Sequence, residues 1–382
     1  MNLPSDQDIT GRNLGDEEML LLKDVISSGV LNSTKGTMVK KLEGEFAQMM
    51  ETKYAIAASS GSAAIHAAIC AINPNPGSEI ISTPVTDIGA ITPILYQGCI
   101  PIFADIDPFS YNVTAETIAK QINSNTKAII VTHLFGNPCD MEPIMELAQS
   151  KNIPVIEDCA HAVGTFYKSK HVGTIGNTGC FSFYPTKNIT TAEGGMVTTN
   201  SKEVAEKVRQ LRSHGMTKSL KSRYSSEYPW VFDIIEPGYN YRLDEIRSAL
   251  GITQLKRIKK INELRKKASL YYHKNLKNIS GIILPDMVND KSHSYHLYTI
   301  RVTKPFKLSR NQLYKKLKDN GIRTTVYWMP IHMYTAYKKF SHGPNIKNTK
   351  KMYNEILALP LFPNITKKHQ DSVINCIKKF GF

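Results

Sequence analysis

Between residues 55 and 200, short apolar runs alternate with stretches of helical spacing, and few folds accommodate that alternation. Strand-like runs fall at 79–85, 101–106, 128–134, 154–159, 179–185 and 195–199, with helical patterns at 115–122 and 141–151 between them. Strands that are apolar on both faces cannot leave either face in water. They need helices on both sides, and helical crossovers are what connect parallel neighbours. The alternation therefore predicts an α/β fold with a mostly parallel sheet wrapped by helices. A chain of 382 residues is also longer than one core usually sustains, so two domains are expected.

The pattern changes after a long helical stretch at 243–276. A strand is expected at 296–302, and Ser309-Arg310-Asn311-Gln312 fits a capping box opening a helix that runs to Asn320-Gly321. A second strand is expected at 322–328, followed by two basic amphipathic helices. This reads as a smaller C-terminal α/β domain over 256–382, joined by the long helix to a large domain over 1–255 that includes the N-terminal segment. No repeat or low-complexity tract interrupts either part.

The formal net charge is +15. Lys256, Arg257, Lys259, Lys260, Arg265, Lys266 and Lys267 cluster on a stretch that also carries an apolar stripe of Leu255, Ile258, Ile261 and Leu264. Such a segment is either an amphipathic helix with a solvated basic face or a field that draws in anionic partners, nucleic acid or a phosphorylated small molecule. No zinc-finger spacing, RNP-type aromatic signature or basic zipper accompanies the charge, which argues against nucleic acid. The six cysteines are scattered without a CxxC pair, which argues against a metal or disulfide framework and for reduced thiols in the cytoplasm. The opening MNLPSDQDIT lacks the basic-then-apolar pattern of a signal peptide, and no apolar run is long enough for a membrane span.

Three segments carry chemistry. In Ser59-Ser60-Gly61-Ser62-Ala63-Ala64-Ile65, a Ser/Gly turn opens a nearly all-apolar helix. The unpaired N–H groups of its first turn are either a phosphate cradle or the start of a buried helix capped by Ser60. In Val155-Ile156-Glu157-Asp158-Cys159-Ala160-His161, an apolar strand ends in two carboxylates and a histidine. Ligands in open parallel sheets bind at such strand ends, although a strand-end Asp also commonly caps the next turn. In Cys180-Phe181-Ser182-Phe183-Tyr184-Pro185-Thr186-Lys187, a strand delivers a lysine among aromatic and small residues. Desolvation there lowers an amine's proton affinity and makes it a usable nucleophile. Together the three supply what pyridoxal phosphate requires: an amine for its aldehyde, a helix N-terminus for its phosphate and a carboxylate for its ring nitrogen.

These residues, with HLFGNPCDM at 133–141, RSHGM at 212–216, GYNYRLDEIRSALG at 238–251 and the later YHLYTIRV, resemble the DegT/StrS family of sugar aminotransferases. The resemblance implies the aspartate-aminotransferase fold type: a three-layer large domain with a mostly parallel sheet and a smaller C-terminal domain. It makes Lys187 the lysine that holds pyridoxal phosphate as a Schiff base and Asp158 the partner of the pyridinium nitrogen. His161 would lie beside the ring, and Gly61, Ser62, Ala63 and Ser182 would hold the phosphate. Asn240 would reach that phosphate from the neighbouring subunit of a homodimer with shared active sites.

The chain departs from the family pattern at two places, both where substrate is expected. Many relatives have an aromatic residue where this chain reads Asp87-Ile88, and a histidine where it has Tyr327; Asp87, Ile88, Tyr184, Tyr327 and His332 are the expected substrate contacts. The implied reaction is transfer of an amino group from an amino acid, by family habit glutamate, to a keto sugar that is expected to be nucleotide-linked. A free sugar, sugar acid or keto-cyclitol is the alternative acceptor. A pyridoxal-phosphate-binding regulator is the alternative of another class.

Overall fold

The computed structural model describes residues 11, 13–217, 227–228, 230–286, 293–340 and 346–381. The opening decapeptide lies outside the described residues.

A seven-stranded sheet forms the centre of the fold. Its strands are β1 (Tyr54–Ala58), β2 (Glu79–Ser82), β3 (Ile100–Phe103), β4 (Thr126–Thr132), β5 (Val155–Asp158), β8 (Thr178–Ser182) and β9 (Gly195–Thr199), with β6 (Phe166–Tyr167) and β7 (Lys170–His171) as a separate hairpin. The spatial order is β1-β9-β8-β5-β4-β2-β3. From β8 to β3 all neighbours are parallel, while β9 runs antiparallel to both β8 and β1. Successive residues of each strand feed opposite cores, as the two-residue period of a strand requires. Ile129, Val131 and Val155 pack with Phe46, Phe181 and Ile252 on one face; Ile130 and Ile156 pack with helix Gly61–Ile72 on the other. Eight consecutive residues of that helix, Ala63 to Cys70, are buried, so its N-terminal amides point into the protein and not into solvent.

A three-stranded antiparallel sheet in the C-terminal part joins β10 (Ile282–Ile283), β11 (Tyr298–Val302) and β12 (Ile356–Leu359). Helices Arg310–Asp319 and Lys367–Gly381 cover it, and Ser309 closes the capping box with Gln312. The long helical stretch is two helices, Glu245–Lys256 and Ile258–Leu276. At Arg257 the amide bonds back to the carbonyl of Gln254, a tightened turn, and the guanidinium pairs with Glu18 of helix Asp16–Ser28. Ile258 and Ile261 belong to the core of the first part, whereas Ala268, Tyr272 and Leu276 belong to that of the second.

Other expectations needed correction. The strands of the large sheet end up to three residues earlier than the apolar runs suggested, and the following residues turn into the site. Residues 322–328 do not form a strand: only Thr325 bridges to Ala358. The edge position goes instead to Ile356–Leu359, four consecutive buried apolar residues paired on β11, because Leu357 and Leu359 enter the small core while Ile356 packs with Val85 and Ile106, and Tyr327 and Trp328 turn to the cleft. All six cysteines are free and buried, and among the described residues no helix is long and apolar enough to cross a membrane.

Candidate active site

The parallel strands β4, β5 and β8 end at one edge, in register: Thr132 lies opposite Asp158, and Asp158 opposite Cys180. A cleft of about 360 Å³ opens there. It is lined by the start of helix Gly61–Ile72, by Thr86, Asp87 and Gly89, by Asp158 and His161, by Ser182, Tyr184 and Lys187, and by His296, Tyr327 and Trp328 from the C-terminal part.

At the helix start, Ser60 adopts extended backbone and its Oγ accepts from the amide of Ala63 at 3.1 Å. The capping reading of Ser60 therefore holds, and it leaves room for an anion at the first two amides. Ser60 caps the helix and takes the Ala63 amide, while the amides of Gly61 and Ser62 have no acceptor among the described residues. The close approach depends on Gly61: a Cβ there would stand 2.7 Å from the Cβ of Ser182. Ser182 is buried at the end of β8 and lines the same cleft, so two segments far apart in sequence meet at the N-terminus of this helix.

Asp158 is buried, and three donors reach it. Thr132 Oγ1 and Thr86 Oγ1 donate to Oδ2 at 3.2 and 3.5 Å, and the amide of Ala160 donates to Oδ1 at 3.0 Å. Burial raises its pKa above the ordinary carboxylate value, and the Ala160 amide and the Lys187 charge oppose that rise. A cationic N–H donor placed in the cleft would satisfy this carboxylate. Lys187 sits where β8 has ended, its backbone amide bonded to the carbonyl of Tyr184. Desolvation lowers the pKa of its amine against the pull of Asp87 and Asp158, which favours the neutral, nucleophilic form.

His161 is buried in a stack of rings. Its centroid is 4.3 Å from His296 and 5.4 Å from Trp328, with interplanar angles of 22° and 12°. The amide of Phe135 donates to Nδ1 at 3.4 Å, which leaves the proton of the neutral ring on Nε2. Burial drives its pKa well down, so the ring is neutral.

The remaining expected residues divide. Asp87 caps helix Ile88–Tyr96 through the amide of Gly89 at 2.8 Å and borders the cleft, while Ile88 is 40% exposed and turned away from it. Tyr184 and Tyr327 line the cleft; His332 does not, and lies near Phe103 instead. Asn240 is exposed, bridged to Ser213 and outside the cleft of its own chain. Thr86, Thr132, His296 and Trp328 were not anticipated. The hydroxyls had no pattern to mark them, and His296 sat inside a stretch that reads as strand.

A model of the DegT/DnrJ/EryC1/StrS aminotransferase family matches residues 12–378. The chain belongs to this family. It is a pyridoxal-phosphate-dependent aminotransferase of the mixed α/β fold. It is 37% identical over 370 residues to an uncharacterized protein of Methanocaldococcus jannaschii, covering 96% of this chain and 95% of that one. It is 36% identical over 369 residues to the spore coat polysaccharide biosynthesis protein SpsC of Bacillus subtilis, covering 96% and 94%. Among solved structures, PseC of Helicobacter pylori, an aminotransferase involved in the biosynthesis of pseudoaminic acid, superposes with a TM-score of 0.89 at 28% identity, covering 96% and 97%.

The cleft fits the family's cofactor on its own chemistry. It holds a desolvated amine, a buried carboxylate with room for one more donor, and two free helix amides facing a serine hydroxyl. Among the described residues, His133, Glu157 and Cys159 form a second buried group, in which both nitrogens of His133 and both oxygens of Glu157 are already committed within the protein. Glu157 accepts from the amides of Gly173, Ile175 and Gly176 and from His133 Nε2, while His133 Nδ1 accepts from the amide of Cys139.

Proposed function

We propose that this aminotransferase moves an amino group from glutamate to a keto sugar linked to a nucleotide. The observation that carries the site assignment is the convergence of Lys187 and Asp158, from two neighbouring parallel strands, on the cleft that opens at the N-terminus of helix Gly61–Ile72. When bound, the cofactor supplies a carbonyl carbon that accepts the amino group and a ring that withdraws electrons. The chain's own groups do the rest. Lys187, whose amine loses proton affinity through desolvation, would hold the cofactor at that carbon and would carry the proton to and from the substrate carbon. Asp158, steadied by Thr86, Thr132 and the Ala160 amide, would hold a proton on the ring nitrogen. Gly61, Ser62 and Ser182 would hold the phosphate, and Asp87, Tyr184 and Tyr327 border the space left for substrate.

Borohydride reduction of the loaded protein followed by peptide mapping should place the label on Lys187, and Lys187→Ala should bind cofactor without turnover. A label on another lysine would overturn the assignment. The acceptor is tested by offering keto-hexoses, free and linked to nucleoside diphosphates, to the aminated form. The roles of SpsC and PseC in polysaccharide and pseudoaminic acid biosynthesis support a sugar acceptor, and the net charge of +15 supports an anionic one. With a nucleotide-linked acceptor, association should slow as salt rises from roughly 50 to roughly 500 mM, across a Debye length that shrinks to under about 5 Å. A flat response would favour the free sugar. The six reduced thiols fit a cytoplasmic setting.

We further propose a homodimer in which Asn240 completes the partner's phosphate site. Asn240 is exposed, and the segment leading to it carries Ile234 and Ile235, which are 52% and 63% exposed, a surface that water alone does not favour. Asn240→Asp and Lys187→Ala should each be inactive alone. Mixed and allowed to exchange subunits, they should recover about half the native activity per heterodimer, because one of its two sites is then whole. No recovery despite exchange would remove Asn240 from the partner's site.

A further inference from the structure

Directly after Lys187 comes Asn188, a buried side chain whose every polar atom is assigned. Its Nδ2 donates to Asn262 Oδ1 and to the carbonyl of Ser294, both at 2.8 Å. Asn262 is itself oriented, because its Nδ2 donates to the carbonyl of Val163 at 3.0 Å. The Asn188 carbonyl oxygen is therefore the atom that faces His296 Nδ1, at 3.1 Å. An amide oxygen only accepts, so His296 carries its proton on Nδ1 and presents the Nε2 lone pair. Burial keeps this ring neutral. Its backbone is held as firmly, with Arg265 Nη1 donating to the His296 carbonyl at 3.1 Å.

His161, stacked on His296 at 4.3 Å, has the opposite tautomer, with Nε2–H as its outward group. The cleft is thus offered one donor and one acceptor from adjacent imidazoles. A lone pair is mismatched to phosphate or carboxylate oxygens, which are acceptors themselves. It suits a hydroxyl, which donates.

We propose that His296 is a specificity-determining residue whose Nε2 accepts a hydroxyl hydrogen of the acceptor substrate, and that Asn188 is the positioning residue that fixes its tautomer. The proposal rests on the reading of the acceptor as a hydroxylated keto sugar. It also explains a spacing in the chain: the residue next to the reactive lysine ties that lysine's loop to helix Ile258–Leu276 and to the segment leading into β11. The cofactor lysine and the substrate-reading histidine are then set by one side chain.

The test has two parts. In the cofactor-loaded protein with ¹⁵N-labelled histidine, NMR should show His296 protonated on Nδ1 and His161 on Nε2. Asn188→Ala should abolish the His296 preference, and Asn188→Asp, which keeps an acceptor, should retain it. A wild-type His296 protonated on Nε2 would overturn the proposal. In kinetics, His296→Phe should raise KM roughly tenfold for the fastest keto-hexose of the panel, the worth of about one hydrogen bond, and should slow the half-reaction with glutamate by a smaller factor. His296→Gln, which restores an acceptor, should recover part of that loss. Equal damage to both half-reactions would mean that His296 serves the Lys187 amine and not the acceptor, and would also overturn it. Failure of wild type in the half-reaction with every amino donor would instead sink the aminotransferase reading, while the tautomers would still be read.

Discussion

Glu157 and Asp158 are consecutive carboxylates on one strand, both buried, and they do different work. Glu157 shares a face with Val155 and is saturated: Ile175 and Gly176 amides reach Oε1, and the Gly173 amide and His133 Nε2 reach Oε2. Asp158 shares a face with Ile156 and borders the cleft, with two hydroxyls and one amide and with capacity left over. A buried acid that the protein satisfies fully is structural, because nothing remains for a ligand. One that is left under-satisfied at a cleft is stabilised only when something else arrives.

Asp158→Asn is the strongest attempt to break this comparison. Removing the charge that holds the ring proton should lower turnover at least ~100-fold. The unloaded protein should lose no stability. Because burial raises the folded pKa of Asp158 above its value in the unfolded chain, its contribution is complete at acid pH and fades as pH rises through the folded pKa. The thermal midpoint of unloaded wild type relative to Asp158→Asn should therefore fall as pH rises through that range. A large loss of stability with normal turnover would make Asp158 structural as well.

Glu157→Gln should show the reverse. Either amide orientation sets an NH₂ group against two donors, so the cost should be about 2–4 kcal/mol, read as a lowered unfolding midpoint. Turnover per folded molecule should stay close to wild type. The smallest effect sharpens the contrast. Thr132→Val deletes one donor to Asp158, which should push that carboxyl's pKa further up and cost about 1 kcal/mol in activity, with the acid limb of the pH profile moved to higher pH. An unmoved acid limb would mean that Thr132 only packs.

Much of this was legible in the sequence, because it depends on chemistry local to the chain. Apolar runs such as Ile129-Ile130-Val131 demand burial on both faces, and Ser60-Gly61 before eight buried residues sets a helix start inside the protein. Lys187 stood out because its neighbours are not charged. Pattern failed where two segments compete for one place. The run at 322–328 reads as a strand, and only the pairing of Ile356–Leu359 on β11 decided against it.

The sequence by itself determined that a strand would end in two carboxylates and that a lysine would follow another strand. Alternation along a strand also sends Glu157 and Asp158 to opposite faces whatever else happens. Which face became the cleft was decided only in three dimensions, by Thr86 and Thr132 arriving beside Asp158 while the 173–176 turn closed over Glu157. The tautomer of His296 was likewise invisible, since Asn188, Asn262 and Val163 fix it from positions up to about a hundred residues apart. Hydrogen-bond saturation is a sum over all neighbours, and the chain supplies those neighbours only once it has folded.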